Sequence, residues 1–375
     1  MITALALSTI EALDRDAWND CFPDELEDWD YYRAVERSAI AGFQWRYLAL
    51  FEGDVLIAAA VAFTTAYSLD TTVQGSSKRI SERLRRHWPG LLDVRLYALG
   101  SPVAEQCHVG TARHIAAGRR PALLEQLLAL ARKDADQAGI GLLAVKDASH
   151  RDPQWLQACH DAGLQSMYGL PAAELPITFG SVDAYLGTLG KSTRKDLRRT
   201  LRGQGPRIEW RRSVHDLLEQ MMPLYEATLA RSDLTFERLP AAYFRQVLEH
   251  LDKRAACVLY WLGDELVAFN LVLLDEQRLV DKFFAHDLGK TRDHNLYARS
   301  WLANVDYCIE HGLAIYECGQ AGYASKLRLG CSFRGNTVFF RHRNPLLDSL
   351  LRLVKMFIRP DRSDPAMAAA ISEQH

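Results

Sequence analysis

Two stretches of this chain carry the same pattern of apolar and polar positions. Residues 47–61 and 259–273 each present an apolar run, a Gly-Asp pair (Gly53-Asp54 and Gly263-Asp264) and a second apolar run. A Gly-Asp pair between two such runs predicts a β-hairpin. Each copy is followed by a helical pattern closed by glycine, over 127–139 and 300–312, and by a short apolar strand, over 140–145 and 313–316. The copies lie about 210 residues apart at the hairpin and about 173 at the helix end. The first therefore carries an insertion of roughly 37 residues.

Between these landmarks the pattern predicts further elements. Thr9 and Asp14 open short helices, and aromatic residues crowd 22–32. The insertion holds a basic stretch, 78–87, which reads as an exposed helix. A long amphipathic helix runs from about Pro121, well placed at a first helical position, to Gly139. The second half begins near residue 179 with a basic run in which Ser192 is a candidate N-cap. There Arg194, Arg198 and Arg202 recur at helical spacing on one side. That side is either a solvated face or a phosphate-binding one, since arginine forks match phosphate geometry. A strand over 278–287 leads into a polar loop, 288–295, then a helix from Leu296 and Tyr297 to His311. The order hairpin, strand, helix, strand, helix, strand is mixed α/β with short connections.

Composition narrows the class. A chain of 375 residues with 48% apolar and 25% charged content is globular and long enough for two domains. A net charge of -2 gives no electrostatic reason to expect nucleic acid. Seven cysteines without a C-x-x-C pair argue against a disulfide framework and a metal site. The N-terminus lacks the basic region of a signal peptide, and no apolar run reaches the ~20 residues of a membrane span. The expected location is cytoplasmic, at most peripheral to the inner membrane. The tail is strongly amphipathic: Asp348, Arg352, Lys355 and Arg359 fall on one narrow side and Leu347, Leu350, Leu351, Val354, Phe357 and Ile358 on the other. It either packs on the domain or lies in a membrane interface.

The doubled order resembles two fused GNAT (acyl-CoA N-acyltransferase) units, as in the Fem-type peptidoglycan aminoacyltransferases. The Gly263-Asp264 hairpin, the basic helix 195–202 and the 320–330 block, with its tyrosine and lysine, resemble the cellulose-biosynthesis-like acetyltransferase group. The run 319–331, followed by 340–345, resembles a narrower lineage that includes the bacterial ceramide synthase. The resemblance implies a first unit over 1–178, a catalytic second unit over 179–345, and an amphipathic helix with a tail over 346–375. It implies an acyl-CoA donor and an amine-bearing lipid acceptor, of which a sphingoid base is the sharpest candidate. A membrane surface is met through the terminal helix. The rival is a Fem-type enzyme using aminoacyl-tRNA and a peptidoglycan precursor. A non-catalytic lipid- or polysaccharide-binding module stands as a third reading.

N-acyl transfer needs a base for the amine proton and donors for the oxyanion. His286, near neutral in its ordinary pKa, suits the base. Asp281, two residues from Phe283 and so expected on the same strand face, is either the base or a buried carboxylate partnered by Lys326. Tyr323 and Lys326, three apart on one turn, point the same way. Tyr323 suits a general acid or oxyanion donor, and Lys326 a phosphate or carboxylate contact. Glu317, Gln320 and Tyr297 are the expected substrate-side residues. Many GNAT enzymes cradle the coenzyme pyrophosphate on a Gly-rich turn. The equivalent stretch, 290–295, has none. Either Lys290, Arg292 and Asn295, with Arg194 and Arg198, hold the phosphates, or the donor is not simple acetyl-CoA.

Overall fold

The computed structural model describes residues 1–68, 93–231 and 236–355. The basic stretch 78–87 and the tail beyond 355 lie outside the described residues. The first half supplies strands β1 (Ile2–Leu7), β2 (Phe43–Glu52), β3 (Val55–Ser68), β4 (Asp93–Leu99), β5 (Val109–Thr111), β6 (Leu142–Ser149), β7 (Gln165–Tyr168) and β8 (Ala172–Pro176). Its helices are α1 (Arg15–Cys21), α2 (Trp29–Arg37), α3 (Arg120–Gln137) and α4 (Pro153–Asp161). The second half supplies β9 (Arg207–Arg211), β10 (Ala255–Leu262), β11 (Glu265–Leu274), β12 (Arg278–His286), β13 (Ile315–Gly319), β14 (Ser332–Arg334) and β15 (Asn336–His342). Its helices are α5 (Val182–Thr188), α6 (Lys191–Arg202), α7 (Leu218–Leu229), α8 (Ala241–Leu251), α9 (Leu288–His294), α10 (Leu296–Glu310), α11 (Tyr323–Arg328) and α12 (Pro345–Lys355).

The repeat is real in three dimensions. β2–β3 and β10–β11 are antiparallel hairpins closed by two-residue Gly-Asp turns, with Gly53 at φ +61° and Gly263 at φ +60°, the backbone such turns require. Both ladders slip at the same place, between Leu50 and Phe51 in one and between Tyr260 and Trp261 in the other. In each copy a third strand adds antiparallel, and a helix then crosses to a parallel neighbour: β4 to β6 through α3, and β12 to β13 through α10. The protein is thus a mixed α/β fold of two fused GNAT-like units.

The units exchange strands. The first sheet runs β1-β2-β3-β4-β6-β15-β7, with β5 beside β3; the second runs β14-β8-β13-β12-β11-β10-β9. Strand β15, late in the chain, sits between β6 and β7 of the first sheet. Strand β8, from the first half, sits between β13 and β14 of the second. The division expected at 178/179 is therefore crossed in both directions.

Layers follow from where the apolar faces go. Helices α3 and α4 cover the outer face of the first sheet, burying Leu123, Leu127 and Trp155. Helices α5 and α10 cover the outer face of the second, with Tyr185 and Trp301. Between the sheets one continuous core joins Trp18 and Tyr31 of α1 and α2 to Tyr225 and Phe244 of α7 and α8. Each such aromatic buries about 150–250 Å², roughly 4–6 kcal/mol of apolar transfer before entropy is charged.

Two local expectations change. The stretch 288–295 is not a polar loop, because Asp287 caps a short helix there. Its Oδ1 accepts from the N–H groups of Gly289 (2.7 Å) and Lys290 (3.3 Å). Helix α6 starts one residue before Ser192, with Gly190 as a cap that lends no side chain. Among the described residues no helix is long and apolar enough to cross a membrane.

Candidate functional site

The site starts from a fault in a strand. The β11–β12 ladder pairs Val272 with Asp281 and Leu271 with Phe283, so Lys282 is an extra, bulged residue. The bulge breaks the alternation expected for this strand. Asp281 turns toward α10, whereas Phe283 turns toward α7 and α8 and packs 4.9 Å from Tyr225. The two residues do not share a face, and Lys282 is aimed at the seam between the units.

There Lys282 Nζ donates to Glu27 and to the Val103 carbonyl (2.7 Å), 5.6 Å from the Tyr31 ring centroid. Burial disfavours its charge, but Glu27 beside it more than offsets this, and its pKa stands above the ordinary lysine value. Arg278 ties Asp275 (2.9 Å) to Glu317 (3.2 Å), donates to the Asp24 carbonyl and lies 3.6 Å from Glu25. His108 Nδ1 is 2.5 Å from the Tyr32 hydroxyl, and its Nε2 stands 3.5 Å from Glu25 and 3.4 Å from Glu27. Around these groups lies a small cavity of about 20 Å³. It is lined by Glu25, Glu27, Glu105 and Gln106 from the first half and by Arg278, Lys282, Glu317 and Arg334 from the second. Burial raises the carboxyl pKa of Glu105, against the pull of Lys282 and Lys326. Burial likewise raises that of Glu317, against Arg278.

Of the residues expected to act, Glu317 lines this cavity. Lys326 and Gln320 stand behind it. Lys326 is buried and donates to the Gly319 carbonyl (2.8 Å), and Gln320 donates to the carbonyls of Leu170 (3.0 Å) and Glu105 (3.3 Å). The Tyr323 hydroxyl donates to Pro171 O (3.1 Å), joining α11 to the chain entering β8. Asp281 is the hub of a separate polar network. It accepts from Asn270 (3.0 Å to both oxygens), Tyr316 (3.0 Å) and Asn304 (3.3 Å), and burial raises its pKa despite these donors.

The others lie away from the cavity lining. His286 closes β12 with its Nε2 3.3 Å from Arg231 and its ring stacked 5.1 Å from Phe284. Burial, then Arg231, lower its pKa, so the imidazole is neutral at neutral pH. Tyr297 packs against Phe284 and Trp301. Asn295 donates to Thr200 (2.6 Å), Lys290 pairs with Glu265, Arg198 with Asp183 (2.8 Å), and Arg194 donates to Gly187 O (3.3 Å). The Arg292 side chain lies outside the described residues. Among the described residues no three His, Cys, Asp or Glu side chains are arranged to hold a metal.

Sequence reasoning missed Glu25, Glu27, Glu105 and His108. One signal was present, an acidic run at 24–28 inside an aromatic stretch. Its partners, Lys282 and Arg278, are some 250 residues distant, and no local pattern announces them.

Two mixed sheets, each with an antiparallel hairpin and a helical crossover, give the protein a tandem GNAT-like fold, with one charged seam between them. The chain belongs to the FemAB-like family, described as peptidoglycan biosynthesis/recognition, whose model matches residues 9–373. No curated protein matches the chain. Among solved structures it is similar in fold to FemX, at 13% identity and a TM-score of 0.59, over 94% of this chain and 100% of that one. It is also similar to the C-terminal domain of a putative lysylphosphatidylglycerol synthetase from Agrobacterium fabrum (15% identity, TM-score 0.52, 91% and 96% covered). A third is a tandem GNAT protein of the clavulanic acid pathway (12% identity, TM-score 0.51, 92% and 99% covered).

Proposed function

We propose that this protein is a Fem-type transferase that moves an activated acyl or aminoacyl group onto an amine of a peptidoglycan precursor, with the chemistry at the seam. The family match over 9–373 carries the reading. The seam supports it, because ionisable groups of both halves meet around a single cavity. A small space with fixed charges favours acid–base work on a polar head over binding a long chain. The test is direct. The protein is incubated with a UDP-linked muramyl pentapeptide and either aminoacyl-tRNA or acyl-CoA, and the acceptor is weighed by mass spectrometry. A gain of one acyl or aminoacyl residue is expected, and no gain with either donor overturns the reading.

A second reading keeps acyl-CoA as donor and an amine-bearing lipid, such as a sphingoid base, as acceptor. One observation favours it. Helix α12 turns Asp348, Leu351 and Lys355 to the protein, where Asp348 accepts from His342 N (2.8 Å) and Gln165 (2.8 Å) and Lys355 donates to Ser166 O (3.0 Å). Leu346, Leu347, Leu350 and Leu353 are turned outward and exposed. Acylation of a sphingoid base, with the muramyl peptide left unchanged, would select this reading over the first.

A further inference from the structure

The charges around the seam cavity are almost all satisfied by one another. Lys282 is held by Glu27 and Val103 O, Arg278 by Asp275, Glu317 and Asp24 O, and Glu25 by the Gln106 amide (2.8 Å). Arg334 Nε, 3.5 Å from Glu174, lacks a hydrogen bond, and among the lining carboxylates Glu105 is the exception. Its backbone carbonyl is gripped by Gln320 (3.3 Å) and Asn336 (3.1 Å), which fixes the residue. Its carboxylate, by contrast, accepts no hydrogen bond among the described residues, although it lines the cavity. The chain also keeps room for that carboxylate. Gly319 turns at φ +82°, and a Cβ there would stand 2.9 Å from Glu105 Oε1. Glu317 likewise keeps one oxygen outside its bond to Arg278. Glu105 is half-buried, and its held carboxylate, with no protein donor, stands open to a donor that a ligand brings.

We propose that the seam cavity receives the amine of the acyl acceptor and that Glu105 takes its proton. An ammonium head suits the space, because it is compact and brings three N–H donors to a lining whose four carboxylates outnumber its three cations, Arg278, Lys282 and Arg334. Glu105 first relieves the ammonium of one proton, which passes to water. The freed nitrogen lone pair then forms the C–N bond at the carbonyl carbon of an ester or thioester donor. Glu105 accepts the second N–H proton, the C–O or C–S bond breaks with its electron pair, and that proton goes to the departing oxygen or sulfur. The products are one amide and one alcohol or thiol. This assignment rests on the transfer reading above for the chemistry, but not for the affinity of the cavity for an amine.

The experiment therefore has two arms on the full-length protein, with E105Q and E105D. One arm measures transfer to the UDP-linked muramyl pentapeptide. The other measures binding of a plain amine, Nα-acetyl-lysine amide, by ligand-observed NMR, which requires no turnover. For E105Q, kcat should fall by about 10²-fold or more with the donor KM little changed, E105D should be intermediate, and amine binding should weaken in E105Q. Wild-type kcat in E105Q overturns the proposal and leaves the transfer reading standing. An inactive wild type whose amine binding still depends on Glu105 overturns the transfer reading and leaves the amine cavity standing. Neither turnover nor amine binding in the wild type overturns both. If E105Q fails to fold, as shown by its melt, E105D carries the same comparisons.

Discussion

Lys282 of the second unit donates to Glu27 of the first, and the two side chains are only 5% and 7% exposed. A pair so buried is costly to form and more costly to halve. Lys282→Met leaves the Glu27 carboxylate with only His108 beside it, 3.4 Å away, and should lower the unfolding free energy by about 3 kcal/mol. Adding Glu27→Gln should restore much of that. Denaturant titration of the three proteins decides it, and a single-variant loss below ~1 kcal/mol would mean that water reaches the pair.

The neighbouring pair should set a pH window. Burial opposes the His108 cation, but Glu25 and Glu27 outweigh it and its pKa stands above the ordinary 6.5. Burial also works against the Glu25 charge, yet His108 and Arg278 bring its pKa down from 4.5 to about 2. A raised histidine stabilises the fold below its unfolded pKa and loses that contribution as pH rises through the folded value. A lowered carboxylate stabilises above its unfolded pKa and loses that as pH falls. The full contribution thus spans about pH 4.5 to 6.5. The melting-temperature gap between wild type and His108→Gln should be widest there and shrink toward pH 9. A gap that stays constant up to pH 9 would sink the idea.

Reciprocal strand exchange makes the halves interdependent. A fragment of residues 1–178 lacks β15, so β6 and β7 would face each other across an empty lane with their ladder groups unpaired. The fragment should be insoluble or molten by near-ultraviolet dichroism, and co-expression with 179–375 should rescue it. A sharp, cooperative melt of 1–178 alone would contradict this.

His286→Ala and Tyr323→Phe separate structural from chemical roles. Tyr323→Phe leaves Pro171 O without its donor and should cost about 1–2 kcal/mol of stability. His286→Ala removes a neutral ring that meets Arg231 and Phe284. With both residues outside the cavity lining, kcat should stay within a few-fold of wild type in each. A loss of about 10²-fold, the scale of a missing acid or base, would return them to the mechanism.

What could be read from the chain was what repeats locally. Both Gly-Asp hairpins, the crossover helices and the α/β class follow from patterns a dozen residues long, and Thr9 and Asp14 cap their helices through their side chains as expected. The strand exchange was hidden because β15, a short apolar run Val338-Phe339-Phe340 between Thr337 and Arg341, fits the gap in either sheet as far as its pattern can tell. The bulge at Lys282 was hidden for another reason. Period-two reasoning assumes an unbroken ladder, and a single extra residue moves Phe283 to the opposite face from Asp281. Glu105 stood in no motif at all. Its place is set by Gln320 and Asn336, more than 200 residues further on.

The terminal helix gives the last expectation, and its orientation makes it a clean one. Amphipathicity alone allows the leucine side to face either the protein or the outside. In α12, Asp348 and Lys355 are bonded to the first sheet's edge, and Leu346, Leu350 and Leu353 are 80%, 54% and 54% exposed. Replacing these three leucines with serine should barely change stability, because the side chains are already in water. If the helix meets a membrane, binding to vesicles containing anionic lipid should fall, since each leucine inserted contributes about 1.5–3 kcal/mol and an exposed Arg352 about 1 kcal/mol more. Leu351, which packs against the central core, is the control. Leu351→Ser should destabilise the fold whether or not the helix meets a membrane. Vesicle binding unchanged by the triple variant would leave the outward leucines without a lipid role, and the lipid-acceptor reading would lose the one observation that favours it.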